Sequence, residues 1–285
     1  MNKSFNEEVL RVAIPNKGSL ADSASRILQE AGYRQRTDSR DLTFTDPTNG
    51  VEFYYLRPRD IATYVGSGEL DIGITGRDLL LDSQAPATEI MKLDFGKSSF
   101  RFAAPSGVGS VVGKRIATAY PRLVLAYLKE KNLEASIVEL DGAVEGAIKL
   151  GVADVIADVV STGNTLKQAG LETFGEVLLQ SEAILIGRIG AQPASKAETL
   201  IRRVSGVVIA RQYVLVDYDV KKINLEAACR LTPGLESPTI SPLQKEDWVA
   251  VRAMVLRSDV HAVMDELWSV GARGILVTDI HSCRL

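Results

Sequence analysis

The sequence predicts an α/β protein built from two parallel-sheet domains and a smaller βαββαβ unit. Three observations predict it. Short apolar runs alternate with segments of helical periodicity as far as about residue 190, Gly, Pro and Asp punctuate the ends of those runs, and the pattern turns β-rich from residue 207. The length of 285 residues calls for two domains and admits three small ones. Hydrophobic residues make up 46% and charged residues 24%, enough apolar material for real cores and too little charge for pervasive disorder.

The run RVAIP (11–15) reads as a strand that ends in Pro15-Asn16-Lys17-Gly18, after which Leu20, Ala24, Ile27, Leu28 and Ala31 recur at helical spacing. VEFYYLR (51–57), a helix from Pro58 to Val65, LDIGIT (70–75) and the turn Gly76-Arg77-Asp78 continue the alternation expected of a parallel sheet. A second set runs from RIATAY (115–120) through a helix after Pro121, SIVEL (136–140), the helix AVEGAIKLG (143–151) and DVIADVV (154–160). The chain is expected to cross between the two domains near 95–103 and 182–188, with AILIGRIG (183–190) returning as a strand to the first. VVIARQYVLVDYDV (207–220) then reads as one long β-rich run. The helix KINLEAACRL (222–231), PTISPL (238–243), DWVAVRAMVL (247–256), a helix from Ser258 to Val270 and ARGILVTDI (272–280) complete a ferredoxin-like order. Ser258 is the expected N-cap of that last helix and Gly271 the C′ residue.

A formal charge of −3 with dispersed Lys and Arg excludes a nucleic-acid footprint, so a phosphate-bearing ligand would be small. No run approaches the roughly 18 apolar residues of a membrane helix, and MNKSFNEEVL lacks the apolar stretch of a signal peptide, which reads as cytosolic. Cys229, Cys283, His261 and His281 form no structural zinc spacing, and the thiols read as buried or unpaired.

The strongest local signal is the apolar strand from Asp154 that runs through Asp158 into Ser161-Thr162-Gly163-Asn164-Thr165 and then a helix. Unpaired N–H groups at a helix start, a glycine and hydroxyl side chains suit an anionic group, while the same hydroxyls could simply cap the helix. Asp158 falls at the strand's C-terminal end, where open α/β sheets place ligands, and its carboxylate could accept hydrogen bonds from ribose hydroxyls. Lys17, Arg57 and Asp78 follow three strand ends of the first domain and deliver charge toward one rim. Tyr120 ends its strand before Pro121, where an exposed ring could stack on a purine and a half-buried one would merely pack. Glu145 falls in the first turn of the 143–151 helix, where a carboxylate also complements the helix dipole.

Together, RVAIPNKGSL, FYYLRPRDIATYVGSGELDIGITGRDLL, FGKSSFRFAAP, RIATAYPRL, ELDGAVEGAIKLGVADVIADVVSTGNTLKQAGL and TPGLESPTISPL resemble the long form of ATP phosphoribosyltransferase, the first enzyme of histidine biosynthesis, over nearly the whole chain. The resemblance implies two catalytic domains like those of periplasmic binding proteins, here 1–97 with 186–211 and 98–185, and a ferredoxin-like regulatory domain, 212–285, that binds histidine. It implies ATP and phosphoribosyl pyrophosphate as substrates, Mg2+ carried with them, and a homo-oligomer that moves between dimer and hexamer. It places Ser161, Thr162, Gly163, Asn164 and Thr165 around the sugar 5-phosphate, Asp158 and Glu145 near the ribose, Lys17, Arg57 and Asp78 around pyrophosphate, metal and ATP, and Tyr120 in the nucleotide pocket. Asp219, Leu235, Ser237 and Thr239 match the neighbourhood of bound histidine, although Pro233-Gly234 and Ser237-Pro238 are also ordinary turn chemistry. Two lobes around a cleft would equally suit a non-catalytic solute-binding protein.

Overall fold

The computed structural model describes residues 9–161, 163–190 and 195–284. Strand β1 (Leu10–Pro15), helix α1 (Ala21–Glu30), β2 (Thr43–Asp46), β3 (Val51–Leu56), α2 (Pro58–Ser67), β4 (Ile72–Gly76), α3 (Arg77–Ser83) and β5 (Ala87–Lys92) open the chain. β6 (Ser98–Ala104), β7 (Arg115–Thr118), α4 (Pro121–Glu130), β8 (Ser136–Glu139), α5 (Gly146–Lys149), β9 (Val155–Val160), α6 (Asn164–Gln168) and β10 (Glu172–Ser181) follow, and β11 (Ala183–Arg188) comes after a single residue. The chain ends with α7 (Ser195–Gln212), β12 (Tyr213–Lys221), α8 (Leu225–Leu231), β13 (Thr239–Pro242), β14 (Trp248–Leu256), α9 (Val260–Ser269) and β15 (Arg273–Asp279). It divides into two compact units, Met1–Gln29 with Tyr33–Glu198 and Glu30–Gly32 with Thr199–Leu285.

The first unit holds two sheets, ordered β2-β3-β1-β4-β11-β5 and β10-β6-β9-β7-β8. The chain leaves the first sheet after Lys92, enters the second at Ser98, and is back in the first at Ala183. Both sheets are mixed, where parallel sheets were expected. β1 pairs in parallel with β3 and β4, and β7 with β8 and β9, but β6 runs antiparallel to β9, and β11 antiparallel to β4 and β5. The cause is topological: a parallel neighbour needs a long crossover, whereas β6 and β11 arrive directly from the other sheet.

Close packing in the first sheet depends on Gly73 in β4, where a Cβ would lie 2.5 Å from Ile61 Cγ2 and 3.0 Å from Val65 Cγ2 of α2. Ile61, Ala62 and Val65 are fully buried there, in a helix started by Pro58 at its N-terminus and stopped by the left-handed Gly68. Gly73→Ala should therefore destabilise the fold by about 1–3 kcal/mol through overpacking. A urea midpoint unchanged from the parent would contradict this reading of the α2–β4 contact.

The second unit carries a four-stranded antiparallel sheet, β13-β14-β12-β15, the ferredoxin-like order expected. β12 alternates buried Val214, Val216, Tyr218 and Val220 with partly exposed residues, as a sheet covered on one face requires. Three local expectations are corrected. Residues 207–212 are the end of α7, not strand, because β-branched residues at 207–209 pack in a helix whose Ala197, Leu200, Val204, Val207 and Ala210 are buried. The last helix starts at Val260 with Asp259 at its cap position, and Ser258 Oγ donates to Asp259 Oδ1 (2.7 Å) instead of capping it. Gly271 does adopt the left-handed conformation, φ +94°, just beyond that helix. The helix expected over 143–151 is a single turn, Gly146–Lys149, because Gly142 (φ +106°) and Ala143 (φ +50°) hold the preceding chain in left-handed conformations, so Glu145 precedes the helix.

Candidate active site

Strand and helix ends of both sheets of the first unit meet around a cavity of about 200 Å³. β1 delivers Lys17 and Gly18, β4 and α3 deliver Gly76 and Asp78, Tyr120 lies two residues past β7, and β10 ends at Ser181. Lys17, Asp78 and Tyr120, read from three separate strand ends, are thus brought together. Arg57 is exposed at the start of α2 and its neighbour Pro58 lines the cavity in its place. Ser181 and Glu182, at the return crossing, and Ser98, at the outward one, also line it; no motif marks them, since crossover positions are set by tertiary connection.

Asp78 is buried at 7% exposure. Its Oδ1 accepts from Ser181 Oγ (2.6 Å), and that oxygen in turn accepts from the Asp78 amide (3.0 Å). The Tyr120 ring is half-buried, the second of the two alternatives its position allowed, with Phe100 edge-on at 5.2 Å between centroids. Burial, and then the negative charge of Asp78 to which its hydroxyl hydrogen-bonds, and of Asp158, push the Tyr120 phenol far above its ordinary range. The phenol is a fixed neutral donor and a flat apolar surface.

Asp158 sits on β9 with Oδ1 accepting the neighbouring Val159 amide at 2.7 Å. Burial above all, and then the charges of Glu145 and Asp78, raise its pKa above the ordinary carboxylate value. Glu145, before α5, and Asp78, at the start of α3, are therefore both within electrostatic reach of the Asp158 carboxylate on β9. Uncompensated charge of this kind costs stability and is characteristic of a site that meets a cation or a developing positive charge. Among the described residues no group of three or more His, Cys, Asp and Glu converges as a metal site.

Beyond β9, Val160, Ser161, Gly163, Leu166, Lys167 and Thr173 are among the residues lining a second hollow of about 380 Å³. Thr162 lies outside the described residues. Gly163 occupies the cap position of α6 at φ +72°, and glycine has no side chain with which to cap it. Asn164 and Thr165 are exposed in its first turn. α6 has five residues and contributes little dipole; backbone N–H groups and hydroxyls would do any anion binding here.

In the second unit, Leu215, Leu235, Ser237, Thr239, Arg252 and Met254 line a hollow of about 440 Å³ on the open face of the sheet. Three of the four residues expected near an amino-acid ligand are thus adjacent. Asp219 is apart: it lies four residues along β12 from Leu215, roughly 13 Å by strand rise, with Oδ2 3.6 Å from the Cβ position of Gly274 on β15. Cys229 and Cys283 are free thiols, and burial raises Cys229. Among the described residues no helix is long and apolar enough to cross a membrane.

Comparison with known proteins agrees with this geometry. A family model described as ATP phosphoribosyltransferase matches residues 57–206, and one described as HisG, C-terminal domain, matches residues 210–282. An ATP phosphoribosyltransferase of Salinispora tropica is 60% identical over 281 residues, covering 97% of this chain and 100% of the relative. One from Streptomyces coelicolor is 55% identical over 285 residues with the same coverage. A solved structure, the ATP phosphoribosyl transferase (HisG:HisZ) complex from Thermotoga maritima, matches with a TM-score of 0.59 and 27% identity over 69% of this chain and 98% of that one.

Proposed function

This chain belongs to the ATP phosphoribosyltransferase family of pentosyltransferases, and from that membership we propose how its residues carry out and regulate the reaction. The phosphoribosyl group of phosphoribosyl pyrophosphate passes to N1 of the ATP adenine. The C1–O bond to pyrophosphate breaks, its electron pair leaves with pyrophosphate, and the N1 lone pair forms the new C1–N1 bond with inversion. N1 carries that lone pair at neutral pH, so no strong base is required. The barrier lies in leaving-group departure and in a ribose that becomes cationic.

The observation that carries this reading is Asp158, a carboxylate kept in a desolvated place beside Glu145 and Asp78. Negative charge preorganised there costs the resting protein something and is repaid when the sugar turns positive. Lys17 and Arg57 would stabilise the departing pyrophosphate, the Ser161–Thr165 loop would take the 5-phosphate, and the Tyr120 face would hold adenine. Mg2+, which uses one or two carboxylates plus substrate phosphates, would be held mainly by those phosphates, with Asp78 as the carboxylate that lines the cavity, and when bound it would neutralise phosphate charge.

We further propose that histidine acts as feedback inhibitor in the hollow beside Leu235, Ser237 and Thr239, and that the enzyme is a cytoplasmic homo-oligomer moving between dimer and hexamer. Asp219, away from that hollow within one chain, would reach the ligand if neighbouring chains complete the site. A ligand shifts such an equilibrium only through different affinities for its states. Asp219→Ala should weaken histidine inhibition while leaving turnover without histidine close to the parent's; inhibition at the parental concentration would remove Asp219 from the site. The reaction itself is tested by pyrophosphate release from ATP, phosphoribosyl pyrophosphate and Mg2+, with and without millimolar histidine. Release suppressed by histidine is expected; no release would sink the catalytic reading, and unsuppressed release the regulatory one.

A further inference from the structure

One buried charge near the cavity has no part in the reaction just described. Asp82, near the end of α3, is 4% exposed. Its Oδ1 accepts the backbone amides of Arg122 (3.0 Å) and Leu123 (3.1 Å), at the start of α4. α4 has no cap of its own, because its cap position is Tyr120 and Pro121 follows. The Arg122 guanidinium returns the contact, donating to the carbonyl oxygens of Asp82 (3.4 Å) and Ser83 (3.1 Å). α3 follows a strand of the first sheet and α4 a strand of the second, so a carboxylate from one lobe caps a helix of the other.

The second oxygen of the same carboxylate, Oδ2, faces Arg59 Nη1 at 3.4 Å. The Arg59 guanidinium lies over the Tyr120 ring, 5.2 Å from its centroid, on a side chain that is 43% exposed and has no other hydrogen bond among the described residues. Asp82 therefore holds Tyr120 twice: through the backbone, by fixing the helix that Tyr120 begins, and through the ring, by fixing the cation above it. Among the described residues Asp82 makes no hydrogen bond to the 161–165 loop.

We propose that Asp82 is a positioning residue for the nucleotide, acting through Arg59 and the α4 cap on the Tyr120 wall of the cavity. The inference rests on the reading of Tyr120 as the adenine-facing surface. Asp82→Asn separates the two links, since an amide oxygen still caps α4 while the charge that anchors Arg59 is gone. The expected result is a rise in KM for ATP of about 3- to 10-fold, the worth of a lost cation–π contact, with melting temperature close to the parent's. KM for phosphoribosyl pyrophosphate should stay within about twofold, because the loop for that substrate is not bonded to Asp82.

Arg59→Ala leaves the cap intact and should raise the ATP KM by a similar factor, and in that background Asp82→Asn should add nothing further. Equal rises for both substrates, an unchanged ATP KM in either variant, or additive effects in the double variant would overturn the proposal. If Asp82→Asn does not fold, Arg59→Ala alone decides. If the parent releases no pyrophosphate, the catalytic reading has failed, and Asp82 is judged separately by calorimetric ATP binding to the same proteins. An ATP Kd unchanged between parent and both variants, or no ATP binding by the parent, would overturn it there too.

Discussion

Asp158→Asn should lower turnover by about 10²- to 10³-fold and at the same time make the protein harder to unfold at neutral pH. The two effects have one cause. Burial, with Glu145 and Asp78 nearby, raises the Asp158 pKa in the native state, so ionising it there costs more than ionising it in the unfolded chain. Below the ordinary carboxylate range both states are protonated and the cost is absent. Between that range and the raised native value the folded state holds the extra proton, so the stability contribution of this group falls as pH rises through the window. Above the window the whole cost is present.

Asparagine never ionises, and its oxygen can still accept the Val159 amide. The variant's urea midpoint should therefore match the parent's at acid pH and exceed it increasingly toward neutrality. A structural carboxylate would behave in the opposite way, stabilising the fold where it is charged. A variant that retains turnover within about threefold, or is less stable than the parent at neutral pH, would show that the charge at 158 serves packing rather than a cationic ribose.

The strand-to-loop-to-helix passages were legible because each is local. Pro15-Asn16-Lys17-Gly18 and Ser161 through Thr165 stand where an apolar run gives way to helical spacing, and the structure ends β1 at Pro15 and β9 at Val160. What was not legible depends on residues distant in sequence. Asp82 reads as an ordinary acidic residue near a helix end, and only the arrival of α4 some 40 positions later makes it a cap. Ser181 gains meaning from Asp78, 103 positions away. The antiparallel course of β6 and β11 follows from which sheet each enters, which no periodicity encodes. Val207, Val208 and Ile209 favour a strand by local preference, and burial within α7 overrides it. Glu145 was drawn into a helix that two left-handed residues cut short.

Gly163→Val should raise KM for phosphoribosyl pyrophosphate by about 10- to 100-fold, through backbone conformation rather than lost contacts. Gly163 sits at φ +72°, where a β-branched side chain is strained by about 1–3 kcal/mol, and it is the residue from which α6 begins. Space is not the obstacle, since a Cβ would meet only Val160 Cγ1 at 3.8 Å. Valine would instead be driven toward negative φ, changing the backbone path at Gly163 and with it the direction of the neighbouring amides that the proposed phosphate site needs. Because the Asp158 carboxylate on β9 and the Tyr120 wall are left in place, KM for ATP should change by less than about threefold. Gly163→Asn tests the conformational cause, as asparagine tolerates the left-handed region at small cost and should restore most of the affinity. If valine and asparagine are equally harmful, the loop reads side-chain size and not backbone shape; if both are harmless, the sugar phosphate binds elsewhere.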